Sequence, residues 1–294
     1  MPDSTSPTVL AVALTKGGTG KTTTAANLAA EIAARLHARD GGGARRVVLV
    51  DADPQDQLAG TLGAGADRIA GSPGLSGILA APEAGQEAAA DEGLLRDVRP
   101  GLDVCPAGAS LATESSRLGA DPAAGLLAVG DALDALAGRS GGGGPLVIVD
   151  VPPGWGPLAL GVLAAADAVL APVSLQPLAL QALGTFVEHV RGVQRTRERF
   201  GGERLPLLSQ IIPTMFDSRP TAHRQVLDAI RGAAESIDRG DGRAPGVADP
   251  IPHSVRVQEA AALGRTVREH ARAGHGSAEA YAALAERVMT DLGI

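Results

Sequence analysis

Cysteine is almost absent: Cys105 is the only one in 294 residues. No disulfide can form within the chain, which fits a reducing compartment. Aromatic residues make up 2% of the sequence, so Ala, Val and Leu must fill any core. The longest apolar runs are broken by Gly, Pro or Asp, and none approaches a membrane span. No secretory leader pattern opens the sequence. The six histidines show no metal-ligand spacing. Lysine is the most telling shortage. Of 26 basic residues only two are Lys, Lys16 and Lys21, and the rest are Arg. Where a guanidinium would serve, the chain uses one. These two positions therefore require a compact ammonium on a thin stem.

Both lysines sit in one glycine-rich stretch, Thr15-Lys16-Gly17-Gly18-Thr19-Gly20-Lys21-Thr22-Thr23-Thr24. An apolar run, Val9 to Leu14, precedes it and reads as a buried strand. Ala25, Leu28, Ala29, Ile32 and Leu36 follow at helical spacing. The order strand, Gly-rich turn, helix start makes an anion site, because converging backbone N–H groups and the helix dipole both favour phosphate. Residues Gly17, Gly18, Thr19, Gly20, Lys21, Thr22 and Thr23 form the expected cradle. Lys21 adds a point charge, and the Thr22 hydroxyl can ligand Mg²⁺.

Further strands are expected at Leu102–Cys105 and Leu207–Ile212, beside the apolar runs that open at Val47 and Leu146. Their alternation with helices implies an α/β fold with a doubly wound, mostly parallel sheet covered on both faces. Ligand then belongs at the carboxyl ends of the strands. Asp150 ends one apolar run. Asp51 and Asp53 flank Ala52 at the end of another, where period-2 geometry puts both side chains on one side. Thr22, Asp51 and Asp150 are the candidate metal residues. Residues 1–8 read as a disordered tail and 9–294 as one domain. Gly41–Gly43 and Gly141–Gly144 read as helix-to-strand loops, and 64–93 as loops and short helices.

The stretch KGGTGKTTTAANLA resembles the deviant Walker A box of the ParA/MinD family of ATPases. Val47-Val48-Leu49-Val50-Asp51-Ala52-Asp53-Pro54-Gln55 resembles the family's second box, and Leu146-Val147-Ile148-Val149-Asp150-Val151-Pro152-Pro153 its Walker B box. Pro213-Thr214-Met215-Phe216-Asp217-Ser218-Arg219 and Ile251-Pro252-His253-Ser254-Val255-Arg256 resemble segments typical of ParA proteins. The resemblance implies a P-loop ATPase that binds ATP and Mg²⁺ and forms a homodimer on ATP binding. It implies that Lys16 reaches the partner's phosphates, that Asp53 orients the attacking water and that Asp51 lies nearer the metal. Lys16, Lys21 and Asp53 are thus the catalytic candidates. Thr214, Met215 and Pro252 are candidates to border the nucleotide. It further implies a cytoplasmic, nucleoid-associated protein with a separate ParB-like centromere-binding protein or other cargo adaptor. Two positions depart from the pattern. Val151 stands where the family has Thr, and His253 where it has Arg.

The net charge of −7 argues against nucleic acid, but its distribution does not. Residues 181–231 carry eight Arg against five acids. Arg191, Arg195, Arg197, Arg199 and Arg204 cluster at one helix end, and Arg219 and Arg224 follow the Thr214-Met215-Phe216-Asp217 segment. Arg191, Arg195, Arg219, Arg224 and Arg256 are the candidate DNA contacts, since nonspecific binding needs phosphate neutralisation rather than base readout. The competing view is a solvated helix end with favourable C-terminal charge. The final helix from Ser277 carries one Arg and three acids, unlike a membrane-binding basic helix. Two other functions remain in play: positioning of a protein cargo, and ATP-dependent carboxylate activation by a P-loop metabolic ligase.

Overall fold

The computed structural model describes residues 8–40, 45–138, 144–199, 207–271 and 274–294. The chain runs β1 (Thr8–Val12), α1 (Lys21–Asp40), β2 (Val47–Asp51), α2 (Leu58–Thr61), α3 (Ala66–Gly71), α4 (Gly74–Ala80), α5 (Gln86–Gly93), β3 (Leu95–Arg99) and β4 (Leu102–Cys105). It continues α6 (Leu111–Ala120), α7 (Pro122–Gly138), β5 (Leu146–Asp150), α8 (Pro157–Ala165), β6 (Ala168–Ser174), α9 (Ala179–Arg199) and β7 (Leu207–Thr214). The last elements are α10 (Thr221–Glu235), β8 (Gly246–Val247), α11 (Val255–Ala262), α12 (Val267–His270) and α13 (Gly276–Leu292).

All eight strands join one sheet in the order β3-β4-β2-β5-β1-β6-β7-β8. Every pairing is parallel except that of β3 with β4 at one edge. The expected doubly wound α/β architecture is the observed one. Continuous apolar strands make sense here, because both faces are covered. In β5, Val147 and Val149 enter one core with residues of α7, α8 and α9. Leu146 and Ile148 enter the other with α1 and α13. Phe186 is the largest fully buried side chain, and the other large ones are Leu and Ile, as an aromatic-poor composition requires. Cys105 is buried at the end of β4. The last helix packs through Tyr281, Leu284, Ala285 and Val288 rather than standing free. Among the described residues no helix is long and apolar enough to cross a membrane.

The proposed tail lies outside the described residues apart from Thr8, which opens β1. The glycine loop at 41–43 and Arg204 lie outside them too. Segment 64–93 does contain short helices, α3 to α5.

Candidate nucleotide site

The glycine-rich loop joins the carboxyl end of β1 to α1, at the centre of the sheet. Gly18 and Gly20 have φ of 70° and 85°, where a side chain would cost about 1–2 kcal/mol. Gly17 and Gly18 face solvent, whereas Thr19 is buried and its carbonyl accepts the Thr214 hydroxyl at 2.8 Å. That bond ties the loop to the end of β7, two strands away.

The two lysines are treated differently. Lys21 is buried, and its Nζ donates to the Lys16 carbonyl at 3.2 Å. Burial lowers its pKa, against the opposing charges of Asp150 and Asp53. Lys16 is only half-buried, and among the described residues its ammonium makes no hydrogen bond or ion pair. One ammonium is folded over its own loop, and the other is unengaged among the described residues.

Asp150 is 1% exposed. Burial pushes its carboxyl up to about 8, partly offset by a hydrogen bond with Thr22 and the charge of Lys21, while Asp51 and Asp53 push it further. Its Oδ1 is buried with no partner. The described residues hold no cluster of three or more His, Cys, Asp or Glu that could hold a metal, but an orphaned carboxylate oxygen beside a hydroxyl fits a Mg²⁺ that keeps most of its waters. Asp51 pairs in register with Asp150 across β2 and β5. Burial also raises its carboxyl, to about 7.

Asp51 and Asp53 converge on the site, but not by strand alternation. β2 stops at Asp51, and Asp53 lies in a bend. Asp51 accepts backbone N–H groups from Asp53 and Leu58, both at 2.9 Å. Its first task is therefore to fold the 51–58 loop back on itself. Each oxygen keeps a lone pair, so a water-mediated metal role stays open to it. Asp53 is half-exposed, accepts from the Gln55 amide at 3.0 Å, and acts electrostatically on both Lys21 and Asp150.

Val151 points away from Asp150, into the core face shared by Val147 and Val149. The loop that follows carries Gly154-Trp155-Gly156. It is tied to the phosphate loop, because the Gly154 amide donates to the Thr15 carbonyl at 3.1 Å. Neither Thr15 nor Gly154 was a site candidate, since a backbone carbonyl leaves no trace in side-chain identity. Asn27 was missed as well: its amide donates to Thr23 and its Oδ1 accepts from Val267, linking α1 to α12.

Of Thr214, Met215 and Pro252, Thr214 touches the loop, Met215 follows it in the chain, and Pro252 is bridged to Phe216 just beyond. β7 continues past Thr214 as a parallel bridge between Phe216 and Pro252. Met215 has φ of 57°, strained for a residue with a side chain and so a mark of a constrained site. A cavity lined by Phe216, Asp217, Ser218, Arg219, Pro252 and His253 opens at this point.

The five candidate DNA arginines do not form one patch. Arg219, Arg224 and Arg256 lie past the carboxyl end of β7, on the edge that carries the phosphate loop. Helix α9 starts after β6 and runs back toward the amino edge. Gln194 there donates to the Arg239 carbonyl, which also accepts from Leu208 at the start of β7. Arg191 and Arg195 on that end of α9 line a cavity with Asp238 and Gly240, apart from the other three. Helix direction overrides proximity in sequence. Several are also engaged: Arg191 with Glu188, Arg219 with Asp217, Arg224 with the Ser218 carbonyl, and Arg256 with Glu259.

A central parallel sheet with a lysine-bearing glycine loop at the carboxyl end of its first strand defines a P-loop NTPase. An AAA domain family model (AAA_31) matches residues 7–200. The chromosome partitioning protein ParA of Caulobacter vibrioides is 34% identical over 285 residues, covering 96% of this chain and 94% of the relative. The chromosome-partitioning ATPase Soj of Thermus thermophilus is 36% identical over 284 residues, covering 95% and 94%. The chain belongs to the ParA/Soj family of partitioning ATPases. Among solved structures, the ATP complex of a McdA variant from Cyanothece superposes with a TM-score of 0.72 at 20% identity, covering 98% and 96%. A cobyrinic acid a,c-diamide synthase from Mycobacterium smegmatis, bound to ADP and magnesium, gives 0.70 at 29% over 98% and 96%.

Proposed function

We propose that this chain is a ParA-type ATPase that pairs into a dimer around bound ATP and uses hydrolysis to position DNA. Residues 17–23 hold the phosphates, with Lys21 as the local counter-charge. Thr22 and Asp150 hold Mg²⁺, with Asp51 behind them, and the ion supplies charge neutralisation on the phosphates. Asp53, half-exposed at the rim, orients the attacking water. Thr214, Met215 and Pro252 border the nucleotide. Lys16 serves the partner subunit's phosphates, as an arginine finger would. The observation that carries this reading is the contrast between the two lysines: one is buried over its own loop and one is unengaged at the rim.

Duplex DNA is bound without sequence preference by Arg219, Arg224 and Arg256, whose number a dimer doubles. Arg191 and Arg195 face the other edge of the sheet and contribute less. A separate centromere-binding protein of the ParB type supplies the cargo, and the protein works in the cytoplasm on the nucleoid. The engaged state of these arginines favours a second reading, in which the same ATP cycle positions a protein cargo through an adaptor. A carboxylate-amidating role is less well supported. Its usual ammonia source is glutamine, which needs a thiolate, and burial drives the sole thiol, Cys105, far above its ordinary pKa.

ATP turnover measured with and without nonspecific duplex DNA tests this directly. Magnesium-dependent turnover raised by DNA is the expected result. DNA-indifferent turnover moves the conclusion to a protein cargo, and failure to hydrolyse ATP under any condition overturns both.

A further inference from the structure

The segment 151–156 joins the metal residue Asp150 to α8, and it is held at three points. The Val151 amide donates to Val12 at 3.1 Å, and the Gly154 amide donates to Thr15, the residue before Lys16, at 3.1 Å. Gly154 has φ of 93°, a conformation that glycine adopts without strain. The third tether is the side chain of Trp155. Its indole lies flat on the His189 imidazole of α9, with centroids 3.8 Å apart and planes 14° from parallel. Phe186, buried one turn earlier, stacks on it at 5.7 Å.

His189 is not a core residue. It is half-buried, and its Nδ1 lies 2.7 Å from the Thr185 carbonyl. A carbonyl can only accept, so Nδ1 carries the proton, and the ring is oriented by its own helix. Any aliphatic side chain at 155 would cap Phe186. The lone tryptophan of the chain instead covers a polar ring that has already been turned to face it. A surface stack of this kind is worth a modest free energy, enough to bias a loop and weak enough to be released.

We propose that the Trp155–His189 stack is a catch on this loop, making Trp155 a positioning residue for Asp150 and for the Thr15–Lys16 backbone. A ligand that shifts Thr15 or Asp150 moves Gly154, and Trp155 leaves His189 with it. Helix α9 then senses whether the phosphate site holds ATP or ADP. This rests on the ATPase reading above.

The only indole in the chain is its own reporter. Calorimetry first establishes that Mg·ADP and a non-hydrolysable Mg·ATP analogue bind. Tryptophan emission is then compared between the two loaded states. Emission should differ, because the imidazole quenches the indole only while stacked. His189→Ala should abolish that difference and lower kcat about three- to tenfold, the weight of one aromatic pair, with nucleotide affinity nearly unchanged. His189→Phe, which keeps the stack, should restore most of kcat. Equal emission in both bound states, or wild-type kcat in His189→Ala, overturns the catch while leaving the ATPase reading intact. Absence of nucleotide binding in calorimetry overturns both.

Discussion

The two lysines of the phosphate loop and the arginines at the edges of the sheet are basic residues in very different states. Lys21 is buried against Asp150, and Lys16 in the same loop makes no hydrogen bond or ion pair among the described residues. The arginines are engaged at both edges: Arg219 with Asp217 and Arg256 with Glu259 at the carboxyl edge, Arg191 with Glu188 at the amino edge, where Arg239 and Arg243 share Asp241. The first arrangement leaves charge in excess of what folding needs, and an orphaned carboxylate oxygen with it. The second is largely neutralised within the subunit. Charge that a fold has already spent on itself is a poor predictor of a ligand, and charge it has left over is a good one.

Four mutational tests would break or sharpen that contrast. The largest effect belongs to Lys21→Ala. Removing a buried cation beside Asp150 and from the phosphate cradle should weaken Mg·ATP binding at least about 100-fold by calorimetry. Asp53→Ala should come next, lowering turnover roughly 100-fold or more while leaving affinity within a few-fold, because orienting water matters in the transition state. Steady-state kinetics beside calorimetry separates the two. On DNA, the pair Arg219→Glu and Arg224→Glu should weaken binding of all sequences alike, with a shallower salt slope in a filter or gel-shift assay. The same change at Arg191 and Arg195 should do less. Equal loss at both edges would mean that the duplex spans the whole subunit. Thr214→Val is the smallest. It removes the hydroxyl that holds the Thr19 carbonyl, so the melting curve should show a loss of about 1 kcal/mol.

The nucleotide edge was largely legible in the sequence. Strand, glycine turn and helix are local patterns, and Lys21, Thr22 and Asp150 sit at ends that periodicity alone locates. The convergence of Asp51 and Asp53 was expected for a wrong reason. Strand alternation does not reach Asp53, and it is the Asp51 carboxylate, gripping two backbone amides, that turns the chain back. How the candidate arginines are distributed was not legible, because α9 runs antiparallel to β7 and carries Arg191 away from Arg219. Thr15, Gly154 and His189 act through a carbonyl, an amide and a ring contact across distant segments. None of these has a signature within a short window of sequence.

Light scattering of wild type and Lys16→Ala, each saturated with a non-hydrolysable Mg·ATP analogue, tests the reading of the two lysines most directly. The wild type should be a dimer and Lys16→Ala a monomer that still binds nucleotide. A Lys16→Ala protein that dimerises fully with ATP would contradict the claim that the unengaged lysine serves a second subunit.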